Sequence, residues 1–150
     1  MEHVIFSISG NNFGIPVSQI REVLKRPPLS PLPMAPGFIE GVITLRRHSL
    51  AVIDLKKRLY EISATTEHDL PPYVIVVRIN KMIIGFLVDQ VIGFLDIGKH
   101  QIDQAVTLVG KHLDNKAVSG IAHVNDQSII LLNIDSLLNI DECGALLETK

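Results

Sequence analysis

A chain of 150 residues, 47% apolar and 20% charged, is long enough for one domain or two small ones sharing an interface, and its composition excludes a disordered tail. A formal charge of −2, a pI near 6.3, 5% aromatic residues and no tryptophan weigh against a nucleic-acid surface, an anionic membrane or a sugar-stacking cleft. Twenty Ile and 14 Val against 18 Leu favour strands over helices. In chain order, VIFSIS (4–9) reads as a strand, followed by the turn Gly10-Asn11-Asn12 and a second apolar run. Segment 17–24 places Val17, Ile20 and Leu24 at helical spacing, but its strand-like counterpart later in the chain favours a bent strand. Five prolines in PPLSPLPMAP (27–36) exclude a helix or central strand; interleaved Leu29, Leu32 and Met34 predict an ordered surface loop. Residues 41–55 read as a hairpin with the tip Arg46-Arg47-His48, and LKKRL (55–59) as a short helical turn. Residues 61–72, ending in Pro71-Pro72, form a polar join. Beyond it come VIVVRI (74–79), the turn Asn80-Lys81, a further apolar run, a hairpin with the tip Asn125-Asp126-Gln127, and the helical turn IDSLL (134–138).

The chain repeats itself. GVITLRRHSLAVIDLKKRL (41–59) aligns without a gap on GIAHVNDQSIILLNIDSLL (120–138) at an offset of 79. At an offset of 71, Phe6 and Ile8 match Val77 and Ile79, while Gly14, Val17, Gln19 and Ile20 match Gly85, Val88, Gln90 and Val91. Two blocks recurring in the same order make a tandem duplication of a β unit, and short strands at regular spacing, duplicated, predict two small β-barrels. The matched apolar positions Ile5, Ile8, Val52, Ile53, Val76, Ile79, Leu131 and Leu132 are expected in a shared interior. The approximate subdomains are 1–68 and 69–150, with exchange of strands between them allowed, in a single domain over 1–150.

Enzyme signatures are missing: the sequence has no glycine-rich phosphate loop, no GxSxG, no HExxH and no CxxC. The histidines His3, His48, His68, His100, His112 and His123 do not fall at metal-ligand spacing. Cys143 lies beside Asp141 and Glu142, which raise a thiol pKa rather than activate it, and one cysteine makes no internal disulfide. Asp54 invites an acid–base reading, but its repeat partner is Asn133, so capping of the following helical turn is preferred for both. No catalytic residue, metal or cofactor is expected. No signal peptide is read at the start, and no apolar run approaches the ~18 residues of a membrane span, so the expectation is a cytoplasmic protein without membrane insertion.

Differences between the copies point to function. Arg46-Arg47 stands opposite Asn125-Asp126, and Arg21-Glu22 opposite Ile92-Gly93. All eight cations of residues 1–75 fall in Arg21/Lys25/Arg26, Arg46/Arg47 and Lys56/Lys57/Arg58. Lys56–Arg58 reads as a solvated face, whereas Arg46 at a hairpin tip suits recognition of a carboxylate.

The block GVITLRRHSLAVIDL is similar to the GVINLRGxxxPVIDL block of the CheW family of chemotaxis coupling proteins. FGIPVSQIREVL, PLSPLPMAPGFIEG, IGFLVDQVIGFLDI and SGIAHVNDQSIILLNIDSLL follow that family in order, from about Val4 to Leu138. The resemblance implies a mainly β fold of two tandem SH3-like five-stranded barrels packed together, with short helical turns. It also implies a noncatalytic adaptor that joins the cytoplasmic tip of transmembrane chemoreceptors to the regulatory domain of a cytosolic histidine kinase. Carried over by motif, the receptor-binding residues are Ile20, Glu22 and Arg46. Two positions depart from the pattern: the family Gly after that Arg is Arg47, and the family Pro before VIDL is Ala51. Glycine would permit a positive φ at the tip; Arg47 must use an ordinary turn or accept strain. Other readings are the same scaffold in a non-flagellar chemosensory pathway, a small ligand-binding β-barrel, and a hydrolase using Asp54. The Asp54/Asn133 match and the missing motifs speak against the last.

Overall fold

The computed structural model describes residues 1–33, 39–60, 70–103 and 117–137. His68, His112, Cys143, Met34 and Leu138 lie outside them. Antiparallel hairpins dominate. Strands β1 (Glu2–Ile8) and β2 (Asn11–Pro16) form the first, and β6 (Tyr73–Ile79) and β7 (Met82–Val88) form its repeat. Strands β4 (Ile39–Leu45) and β5 (His48–Asp54) form a third hairpin, repeated as β10 (Val118–Val124) and β11 (Gln127–Leu132). Single strands β3 (Ile20–Lys25) and β8 (Gln90–Asp96) follow the first hairpin of each copy, and β9 (Ile102–Asp103) is a two-residue strand. The helical spacing in segment 17–24 yields one 3₁₀ turn, Val17–Gln19, before the chain extends into β3. Helix α1 (Leu55–Tyr60) follows β5, burying Leu55 and Leu59 one turn apart.

Neither half of the chain, 1–68 or 69–150, builds a sheet of its own. The first sheet runs β8-β1-β2-β11-β10-β9 and the second β3-β6-β7-β5-β4. Each therefore takes the first hairpin of one copy and the second hairpin of the other. Two parallel ladders make the exchange: β11 on β2, with Leu131 opposite Gly14, and β5 on β7, with Val52 opposite Gly85. These pairs coincide under the 79- and 71-residue offsets, so the duplication extends to strand register.

Five strands hold for the second sheet, but the first has six, and no ladder joins the ends of either among the described residues. The edges are drawn together by the chain instead. Past β8 it turns through Lys99–Gln101 and pairs as β9 with β10. Past β3, among the described residues, Ser30 makes an isolated bridge to β4, exchanging hydrogen bonds of 2.9 and 2.8 Å with Val42. Pro27, Pro28 and Pro31 have no N–H to extend that bridge. Gly41 makes the approach feasible, since a Cβ there would lie 2.8 Å from the Ser30 carbonyl oxygen.

All eight expected interior residues are buried, but they do not share one interior. Ile8, Ile53, Ile79 and Leu132 belong to the main cluster, which includes Phe6 stacked on Phe13 with ring centroids 5.9 Å apart. Ile5 and Leu131 belong to a cluster with Ala122, Val124 and Ile129 of the first sheet, and Val52 and Val76 to one with Ile43, Leu50, Val74 and Leu87 of the second. Successive side chains on a strand point to opposite faces, so Val52 and Ile53 part company, as do Ile5 and Phe6. Burial on both faces explains why these strands read as continuous apolar runs.

Candidate functional site

The tip of the β4–β5 hairpin is a two-residue turn in which Arg46 and Arg47 both take left-handed conformations, φ 47° and 71°. Its counterpart Asn125-Asp126 does the same, φ 49° and 63°. A tight hairpin with the right-handed twist of its strands requires positive φ at both central residues, and Asn and Asp tolerate it. Arginine does so at a cost of roughly 1–2 kcal/mol per residue. Arg47 thus takes the left-handed geometry rather than an ordinary turn.

Arg46 reaches across the open edge of the second sheet. Its Nη2 lies 2.9 Å from Glu22 Oε2 on β3, with the Arg side chain 75% exposed and the Glu side chain 28%. The pair links the two ends of the sheet, β4–β5 and β3. Exposure on the arginine side holds its contribution to about 0–1 kcal/mol.

Ile20 stands apart from this pair. The β3–β6 register shifts between Ile20 and Glu22, leaving Arg21 as the extra residue. Ile20 pairs with Val77, a member of the main cluster, and packs against that cluster itself. Glu22 pairs with Val76, a member of the second sheet's own cluster. Directly paired side chains share a face, so the bulge turns Ile20 and Glu22 to opposite sides of the strand. In the first sheet, β8 carries the matching bulge at Ile92, opposite the step from Ile5 to Phe6 of β1.

The two bulged edge strands differ in chemistry. On β3 the exposed positions are Arg21, Val23 and Lys25; on β8 they include Ile92, 56% exposed, and Phe94, 68% exposed. Sequence reasoning did not single out Phe94. The available signal was an apolar run, VIGFL (91–95), on a strand whose alternate positions face solvent.

Within the cation cluster after β5, Lys57 is not solvated. Lys57 forms an ion pair with Glu40 of β4, each side chain only 13% exposed. Beside it Asp54 is fully buried; its Oδ1 accepts a 3.0 Å hydrogen bond from the Lys56 N–H and caps α1, while Oδ2 has no partner among the described residues. Asn133 makes no side-chain cap, so capping holds only in the first copy. Arg26 is also anchored, its Nε donating to the Pro71 carbonyl oxygen at 3.1 Å.

Burial, reinforced by the Glu40 carboxylate, raises the Asp54 carboxyl above its ordinary 3.8, against the pull of the Lys56 and Lys57 backbone N–H groups and the Lys57 charge. In the unfolded chain Asp54 ionises near 3.8, while the folded protein retains the proton to higher pH. The folded state then binds more protons across that window, and stability falls as pH rises from 3.8 towards the raised value. Urea midpoints of wild type and Asp54→Asn should diverge over this window, wild type losing stability relative to the variant as pH increases. A separation independent of pH would show that Asp54 does not titrate between the two states.

Among the described residues no three His, Cys, Asp or Glu side chains converge on a point that could hold a metal, and no helix is long and apolar enough to cross a membrane. His3 is buried with Nδ1 3.0 Å from the Met1 carbonyl oxygen, and burial lowers its pKa; His48, His100 and His123 are exposed.

Comparison with known proteins accords with this architecture. Residues 2–142 match the family model described as a CheW-like domain. The chemotaxis protein CheW of Thermotoga maritima is 31% identical over 137 residues, covering 91% of this chain and 87% of its own. That of Rhizobium meliloti is 26% identical over 141 residues, covering 94% and 89%. The crystal structure of the scaffolding protein TtCheW from Thermoanaerobacter tengcongensis superposes with a TM-score of 0.78 at 30% identity, over 94% of this chain and 89% of that one. With a family match spanning nearly every residue and a solved relative sharing the fold, this chain belongs to the family of CheW-like domains.

Proposed function

We propose that the protein is a noncatalytic chemotaxis adaptor of the cytoplasm, holding a chemoreceptor tip on one surface and the regulatory domain of a histidine kinase on another. The relatives' names, chemotaxis protein and scaffolding protein, support the role. The observation that carries the two-partner reading is the contrast between two edges equivalent by duplication. One carries the Arg46–Glu22 pair, with Arg21 and Lys25 exposed on the same strand as Glu22; the other presents exposed Ile92 and Phe94. A coupling protein needs two surfaces that do not compete, and different chemistry on equivalent edges supplies them. The charged edge suits the receptor and the apolar edge the kinase domain. Ile20, turned towards the core, supports the charged edge from beneath rather than touching the partner.

Arg46→Glu should weaken binding of a receptor cytoplasmic-tip fragment more than Arg46→Ala does, because it adds like-charge repulsion to the lost hydrogen bond. It should leave kinase-domain binding and the melting temperature nearly unchanged, since the Arg46–Glu22 pair is weak. Phe94→Ser should do the converse. Calorimetric titrations with both partners check this; a single substitution abolishing both interactions, or receptor binding indifferent to Arg46→Glu, overturns the assignment.

A further inference from the structure

We infer that Arg47 is a specificity determinant of the charged edge, selecting receptor tips that present a carboxylate to the β4–β5 turn. The inference rests on the proposed receptor surface and adds a residue and a chemistry to it. Arg46 is already engaged by Glu22 at 2.9 Å, so an incoming carboxylate must share or displace that contact. Arg47 is exposed and makes no hydrogen bond or ion pair among the described residues, leaving all five guanidinium donors available. Arg21 and Lys25 of β3, at the other end of the sheet, are likewise exposed and without ion pairs among those residues, so that strand carries uncompensated positive charge.

The duplicated turn isolates what is unusual. The same backbone, with both φ positive, carries Asn125-Asp126 in one copy and two arginines in the other. Turn geometry alone is met better by the first pair, so nothing in the fold calls for Arg47. What the residue adds is an exposed planar cation at the hairpin tip, whose fork matches a carboxylate in two parallel hydrogen bonds. The partner group is therefore an Asp or Glu side chain of the receptor tip, selected by charge complementarity.

The test titrates a receptor cytoplasmic-tip fragment from the same genome into wild type, Arg47→Gly, Arg47→Asn and Arg46→Glu over a range of sodium chloride concentrations. Arg47→Gly and Arg47→Asn should melt at least as high as wild type, because both relieve the left-handed arginine. They should bind the fragment about two- to fivefold more weakly at low salt, with a shallower salt dependence. Wild-type affinity and salt slope in both variants would overturn the inference while leaving the receptor surface intact if Arg46→Glu still weakens binding. A wild-type protein that fails to bind the fragment would overturn both.

Discussion

Ile53→Ala will cost about 2–5 kcal/mol of folding free energy, among the largest losses available to a single truncation in this chain. Ile53 is fully buried in the cluster between the sheets, pairing with Ile39 of β4 on one side and Phe86 of β7 on the other. The second pairing lies in a parallel ladder that joins the two copies, so the site has little freedom to collapse around a cavity. Urea unfolding should show a lower midpoint with an unchanged slope. Val23→Ala, on an exposed position, is the control and should stay within about 0.5 kcal/mol. A loss below about 1 kcal/mol at Ile53 would mean that the sheets repack readily against each other.

Lys57→Met will cost about 3 kcal/mol, although methionine fits a helix and fills similar volume. The reason is what remains: Glu40, largely buried, loses its cation next to the fully buried Asp54. The duplication supplies the compensating experiment. At the 79-residue offset, Glu40, Asp54 and Lys57 correspond to Ser119, Asn133 and Ser136, an uncharged set in the same architecture. Replacing all three together, Glu40→Ser, Asp54→Asn and Lys57→Ser, should recover most of the loss, because removing a whole ionic group is far cheaper than removing one member. Denaturant midpoints of the single and triple variants decide it; a triple variant no more stable than Lys57→Met would contradict the account.

The duplication was legible in the residues because apolar alternation and Gly positions recur at fixed offsets. The register of both parallel ladders then follows the same offsets. Which hairpin joins which sheet was not legible. Strands such as VIVVRI are apolar on both faces, so their pattern does not name a neighbour, and proximity in sequence suggests the wrong grouping. The Ile20–Glu22 separation depends on one unpaired residue, Arg21, that nothing in the local pattern distinguishes. Positive φ at Arg46 and Arg47 was hidden because arginine gives no left-handed signal; the Asn-Asp turn of the other copy was the available clue. Lys57 looked solvated because its partner Glu40 is far away in sequence and meets it only through the β4–β5 pairing.

The exchange of hairpins also bears on synthesis at the ribosome. The β1–β2 hairpin finds its neighbours only in β8 and β11, and β11 ends at Leu132. The second sheet is available once β7 has emerged, but the first stays incomplete until β10 and β11 have followed. Throughout that interval Phe6, Ile8, Phe13 and Ile15 lack part of the surface that buries them. The nascent chain therefore carries an apolar hairpin waiting for a late partner, which makes that hairpin a natural substrate for chaperones.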